Sequence, residues 1–157
     1  MVTRSTGMLL SRSRRPLPCG SRPFCIIGAG ERDDRVTAFL RALAKSGAGR
    51  AIVLPYRRLL KEGPGCLASL PGRTLLRIES PGRGFDTYKL FLEAGYAVAS
   101  RERGSVIDIP AIRALTEDKG RILFPRQWYL GFREILSGIG QVLRDRPDIQ
   151  PLLPVDD

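Results

Sequence analysis

Phe24-Cys25-Ile26-Ile27-Gly28-Ala29-Gly30 decides the fold: a short apolar run closed by a glycine turn reads as a buried strand that delivers the chain into a tight bend. Beyond the bend, Asp33 or Asp34 is placed to cap a helix, and Val36, Phe39, Leu40 and Leu43 recur on one helical face. Gly47 stops that helix, since glycine adopts the left-handed terminus at no steric cost. Ala51-Ile52-Val53-Leu54 is a second buried strand, broken by Pro55. A short helix from Tyr56 to Leu60 follows, ended by Gly63-Pro64-Gly65, and the turn at Pro71-Gly72 leads into a third strand from Thr74 to Ile78.

Further along, a helix runs from Asp86 to Ala94, with Tyr88, Phe91 and Leu92 on one side and Gly95 closing it. Residues 96–110 carry no clear period, Ile109 to Leu115 fit one or two helical turns, and Ile122-Leu123-Phe124 is a short strand candidate. The strongest helix comes last: Trp128, Phe132, Ile135, Leu136, Ile139, Val142 and Leu143 form one continuous face, with Pro125 before it and Pro147 beyond it. Strands alternating with helices imply right-handed βαβ crossovers and a parallel sheet. The expected architecture is therefore an open, mostly parallel three-layer α/β sandwich of roughly four strands. It occupies residues 23–146, after a disordered basic tail over 1–22 and before an irregular tail over 147–157.

Composition narrows the chemistry. With 43% hydrophobic and 27% charged residues, the chain has globular proportions and enough apolar material for a core. No apolar run approaches the ~20 residues of a membrane-spanning helix. There is no histidine, which removes Ser/His/Asp and Cys/His catalysis and every metal site that needs imidazole. Cys19, Cys25 and Cys66 have no CxxC spacing and an odd count, so neither a metal knuckle nor a closed disulfide framework follows; a reducing, cytoplasmic compartment fits best. The net charge is +10, and half of it comes from the acid-free segment 1–22 with Arg4, Arg12, Arg14, Arg15 and Arg22. Arg14-Arg15 lacks the apolar stretch that an export signal places next, because Pro16, Pro18, Gly20, Arg22 and Pro23 intervene. The basic tail carries an alternative reading of the whole chain, as a module that contacts nucleic acid or another anionic partner. Its support is charge alone, so nucleic acid is the lesser expectation, and a membrane partner is not expected.

Two segments carry candidate sites. Gly28-Ala29-Gly30 invites a dinucleotide reading, but Asp33 stands where the third glycine belongs, and Leu54-Pro55-Tyr56 offers no acid for a ribose. In Arg77-Ile78-Glu79-Ser80-Pro81-Gly82, opposite charges lie two residues apart at the carboxyl end of a strand, the edge where open α/β sheets form their ligand crevice. Glu79, Ser80 and the amides of Gly82 to Gly84, Arg83 included, would receive a substrate amine or anion there. The competing reading is an Arg77–Glu79 ion pair followed by a plain turn. Arg126, at the amino end of the last helix, would strengthen anion capture by exposed amides, or simply face solvent.

Arg77-Ile78-Glu79-Ser80-Pro81-Gly82 and the later run Gly120-Arg121-Ile122-Leu123-Phe124-Pro125-Arg126-Gln127-Trp128-Tyr129-Leu130-Gly131-Phe132 resemble the amino-terminal, pre-ATP-grasp region of a little-characterised bacterial group of ATP-grasp proteins. The resemblance spans Phe24 to Leu143. It implies an open α/β lobe ahead of catalytic lobes that bind ATP through a lysine and magnesium through acids, and that ligate a carboxylate to an amine or thiol. No position here matches that lysine or those acids, so no catalytic residue is carried over. The resemblance thus implies a non-catalytic, substrate-side lobe, shaped by Glu79, Ser80, Gly82, Arg83 and Arg126. It would hold no cofactor itself, and ATP and magnesium would enter only with the missing lobes. A truncated reading frame and a stand-alone lobe served by a partner chain both fit. Tyr129, Leu130 and Ile149 to Leu153 fall outside the apolar stripe of the last helix, which leads to the expectation of a partner or a homo-oligomer covering them.

Overall fold

The computed structural model describes residues 22–30, 32–82, 84–116 and 124–152. The elements run in the order β1 (Phe24–Gly28), α1 (Asp34–Ser46), β2 (Ala51–Pro55), α2 (Tyr56–Glu62), a 3-10 segment (Pro64–Ser69), β3 (Leu75–Ile78), α3 (Phe85–Ala99), α4 (Ile109–Ala114), α5 (Pro125–Asp145) and β4 (Gln150–Pro151). The sheet is all parallel, in the order β2-β1-β3-β4. The open parallel α/β sandwich expected from the sequence is what the chain forms.

Strand alternation divides the core. Cys25, Ile27, Leu54 and Leu76 point to one face and join Tyr56, Leu59, Leu67, Phe91, Ile135 and Ile139 in a single apolar cluster, so α2, the 3-10 segment, α3 and α5 cover that face. On the other face Phe24 meets Phe39 at 6.1 Å and Val36 lies against Gly28, so α1 is its cover. The α1 boundaries follow local chemistry. The Asp33 carboxylate accepts hydrogen bonds from the Arg35 and Val36 amides, and Gly47 ends the helix at φ 69°.

Two expectations need correction. Gly95 does not close a helix: α3 continues to Ala99, and Gly95 is buried inside it. The cause is tertiary, because α3 and α5 run antiparallel so close together that a side chain at Gly95 would strike the Gln127 backbone. The carboxyl tail, expected to be irregular, contributes β4, held by Gln150 N–H to the Thr74 carbonyl (2.9 Å) and Leu152 N–H to the Leu76 carbonyl (2.7 Å). A two-residue strand has no periodicity to read, and its partner lies far back in the chain. The strand candidate Ile122-Leu123-Phe124 falls outside the described residues except for Phe124, which is the left-handed residue (φ 51°) that starts α5.

Burial also revises the list of apolar groups that were expected to need an external cover. Leu130 and Ile149 are 4% and 2% exposed, and so are covered by this chain itself, whereas Tyr129 and Leu152 remain open. Trp128 anchors an aromatic ladder, with Phe91 and Phe132 both 5.4 Å away and Tyr88 stacked at 6.4 Å. Gln127, completely buried, holds the segment before α4: its side-chain oxygen accepts from the Ile107 amide, and its nitrogen donates to the Ile107 and Leu92 carbonyls. Every polar atom of that amide is thereby satisfied inside the core.

Candidate functional site

The sheet order places a topological switch between β1 and β3. From β1 the chain moves outward through α1 to β2, then returns past β1 to add β3 on its other side. Chains leaving the carboxyl ends of β1 and β3 therefore depart to opposite faces, the position at which open α/β sheets place a ligand crevice. The two departing loops are Gly28-Ala29-Gly30 and Glu79-Ser80-Pro81-Gly82, and they touch. The Glu79 amide donates to the Ile27 carbonyl (2.8 Å). Gly82 has φ 78°, and a side chain there would lie 2.7 Å from the Ala29 methyl and 3.6 Å from Oδ2 of Asp33. Glycine is required at this position twice over, by the left-handed backbone and by the approach of Ala29.

Three of the five expected site residues lie on this crevice. Glu79 is mostly buried and bonded to Arg77, whose guanidinium lies 4.6 Å over the Phe39 ring. The competing reading of that segment, an internal ion pair, is thus present in the structure, and it neutralises the carboxylate. The Glu79 carbonyl accepts a hydrogen bond from the Tyr56 hydroxyl (2.9 Å), which fixes the backbone at the strand end. Ser80 is exposed, and its hydroxyl accepts a long bond from the Gly82 amide (3.4 Å). Arg83 lies outside the described residues.

Arg126 is not brought to the crevice. It pairs with Glu102 (2.6 Å) just past the carboxyl end of α3, while Gly82 sits before the amino end of the same helix. Fifteen residues of helix separate the two ends, roughly 20 Å. The antiparallel packing of α5 on α3 decides this, and no local signal reports it. Asp33 takes Arg126's place as the charged group at the crevice. One of its oxygens caps α1 and the other faces Gly82, so the helix terminus where a pyrophosphate would bind already holds a carboxylate.

Burial, and secondarily Glu79, push the Tyr56 hydroxyl well above its ordinary range, so it stays a neutral donor. Among the described residues, the hydrogen bond recorded for the Ser80 hydroxyl is the long one from the Gly82 amide. The described groups orient the two loops through hydrogen bonds.

A second concavity was not legible in the sequence. A groove of about 270 Å³ lies between α2 and α3, lined by Arg57, Lys61, Asp86, Lys89, Leu90 and Glu93. Comparison with family models, with curated proteins and with solved structures returned no match.

Proposed function

We propose that this chain is a non-catalytic, substrate-side lobe of an ATP-grasp-like ligase, of the carboxylate–amine or carboxylate–thiol type. One structural observation supports the reading beyond the resemblance of the two segments. The segment Glu79-Ser80-Pro81-Gly82 lies at the switch point of the sheet, packed on Ala29 and facing Asp33. A lobe of this kind contributes shape and hydrogen bonds, while phosphate chemistry belongs to other lobes. Glu79, held by Arg77, sets the floor; Ser80 and the Asp33 carboxylate offer polar contacts to an incoming substrate. Arg126 has no part in the revised site.

The purified chain should hydrolyse no ATP with magnesium or manganese. Magnesium-dependent turnover that is abolished by a substitution within residues 24–143 would overturn the reading.

A further inference from the structure

We propose that the groove between α2 and α3 binds a small zwitterion of the α-amino-acid class. The proposal does not depend on the ligase reading.

Helical periodicity builds both walls. Arg57 and Lys61 are four residues apart on α2, and Asp86, Lys89, Leu90 and Glu93 fall on one face of α3. Two of the charges are committed elsewhere. The Lys89 ammonium donates to the carbonyls of Arg113 (2.9 Å) and Leu115 (3.0 Å) and lies 5.5 Å over the Phe85 ring, so it closes the end of α4. Glu93 accepts from Arg113 at 3.1 Å. That leaves Arg57 and Lys61 on one wall and Asp86 on the other, none with an ion-pair partner among the described residues.

The contrast with Arg58 is informative. It sits on the same short helix and pairs with Glu62 at 2.9 Å, so an arginine of α2 with an acid in reach does bond to it. Arg57 and Asp86 face a common groove and do not meet. Two cations and one carboxylate, held apart across a surface that includes Leu90, match a ligand carrying a carboxylate and an ammonium on one carbon with a short apolar side chain. A groove of about 270 Å³ has room for a free amino acid. Asp86 disfavours a bare dianion such as phosphate, and Arg57 with Lys61 disfavours a simple amine.

The test uses amide NMR of the full chain with three probes of one shape: L-leucine, 4-methylpentanoate, which lacks the ammonium, and 3-methylbutylamine, which lacks the carboxylate. Leucine should shift the amides of residues 57–61 and 86–90 and saturate at roughly millimolar concentration. Each half-probe should bind about ten-fold or more weakly, because one charge contact is lost and a repulsion is left. Arg57→Gln, Lys61→Gln and Asp86→Asn alter exposed groups, so each should weaken leucine binding about five-fold or more while leaving thermal unfolding unchanged. Unmoved groove amides, a half-probe binding as tightly as leucine, or shifts confined to residues 28–30 and 79–82 would each overturn the assignment. ATP turnover by the chain would overturn the ligase-lobe reading and leave this titration unaffected.

Discussion

Gly95 and Gly131 oppose one another where α3 crosses α5. A methyl group on Gly95 would sit 2.0 Å from the Gln127 carbonyl oxygen, and one on Gly131 would sit 2.0 Å from the Phe91 carbonyl oxygen. The two backbones are in direct contact, with no side chain between them to give way.

Alanine at either position should therefore force the helices apart. Overpacking of this kind typically costs about 1–3 kcal/mol, and rigid backbone on both sides puts Gly95→Ala and Gly131→Ala at the upper end. The gain in helix propensity offsets only about 1 kcal/mol of that. Gly140→Ala is the control, since only the end of the Arg144 side chain lies near it, at 3.8 Å. Urea midpoints should fall for the first two variants and hold or rise for the third. Equal midpoints for Gly131→Ala and the parent would contradict the crossing geometry.

Gln127→Leu should uncouple the segment before α4 from the core. The substitution preserves volume but leaves the Ile107 amide and the Leu92 and Ile107 carbonyls without the partner they have now. An unsatisfied buried group costs about 1–3 kcal/mol, so stability should drop by at least that amount. Hydrogen exchange at Ile107 should accelerate more than exchange in β1, and uniform acceleration would show that the effect is global instead.

Gly82→Ala should strain the crevice, both through its left-handed backbone and through the Ala29 methyl 2.7 Å away. The backbone part costs about 1–2 kcal/mol. Adding Ala29→Gly removes the collision but keeps the backbone strain, so the double variant should recover part of the loss. The cycle is read from denaturant midpoints. Strict additivity of the two changes would mean that the loops of β1 and β3 do not touch.

Alkaline pH should destabilise the fold, because the unfolded chain gives up a thiol proton that the native state retains. Burial pushes the Cys25 thiol from 9.0 up to about 12, and the nearby Cys66 adds to the shift. A raised folded-state pKa means that the native state holds its proton longer than the unfolded state does. The contribution is thus complete below about pH 9 and is lost as pH rises towards about 12. Tyr56, raised mainly by burial, acts in the same direction. Urea midpoints taken at about pH 8 and about pH 11 should fall, and by less in Cys25→Val, which has nothing to ionise at that position. An identical fall in parent and variant would remove Cys25 from the account.

These contacts also explain what the amino-acid sequence could reveal. β1, α1 and β2 were legible because their signals are local: apolar runs ended by glycine or proline, a capping Asp33, a left-handed Gly47. Gly95 misled because a glycine after an apolar helix is locally a stop signal, and only the presence of α5 turns it into an interior residue. Glu79, Ser80 and Gly82 could be placed because the carboxyl end of a parallel strand has a fixed meaning in such sheets. Arg126 could not, since which end of α3 meets the start of α5 depends on an antiparallel packing that no short-range pattern encodes. For the same reason Arg57 and Asp86 gave no hint that they face one groove: each is an ordinary exposed charge until two helices are set side by side.

The shortest strand has a consequence for the nascent chain. β3 must wait for Gln150 and Pro151 before its outer edge is covered, so while residues 79–149 are made that edge offers unpaired amides and carbonyls to any neighbouring chain. When β4 arrives it covers the edge with a residue that has no amide hydrogen to donate. Gln150 and Leu152 donate inward to the Thr74 and Leu76 carbonyls, while Pro151 between them has no amide hydrogen to offer on the outer side, so β4 acts as a guard against further strand addition and edge-to-edge aggregation.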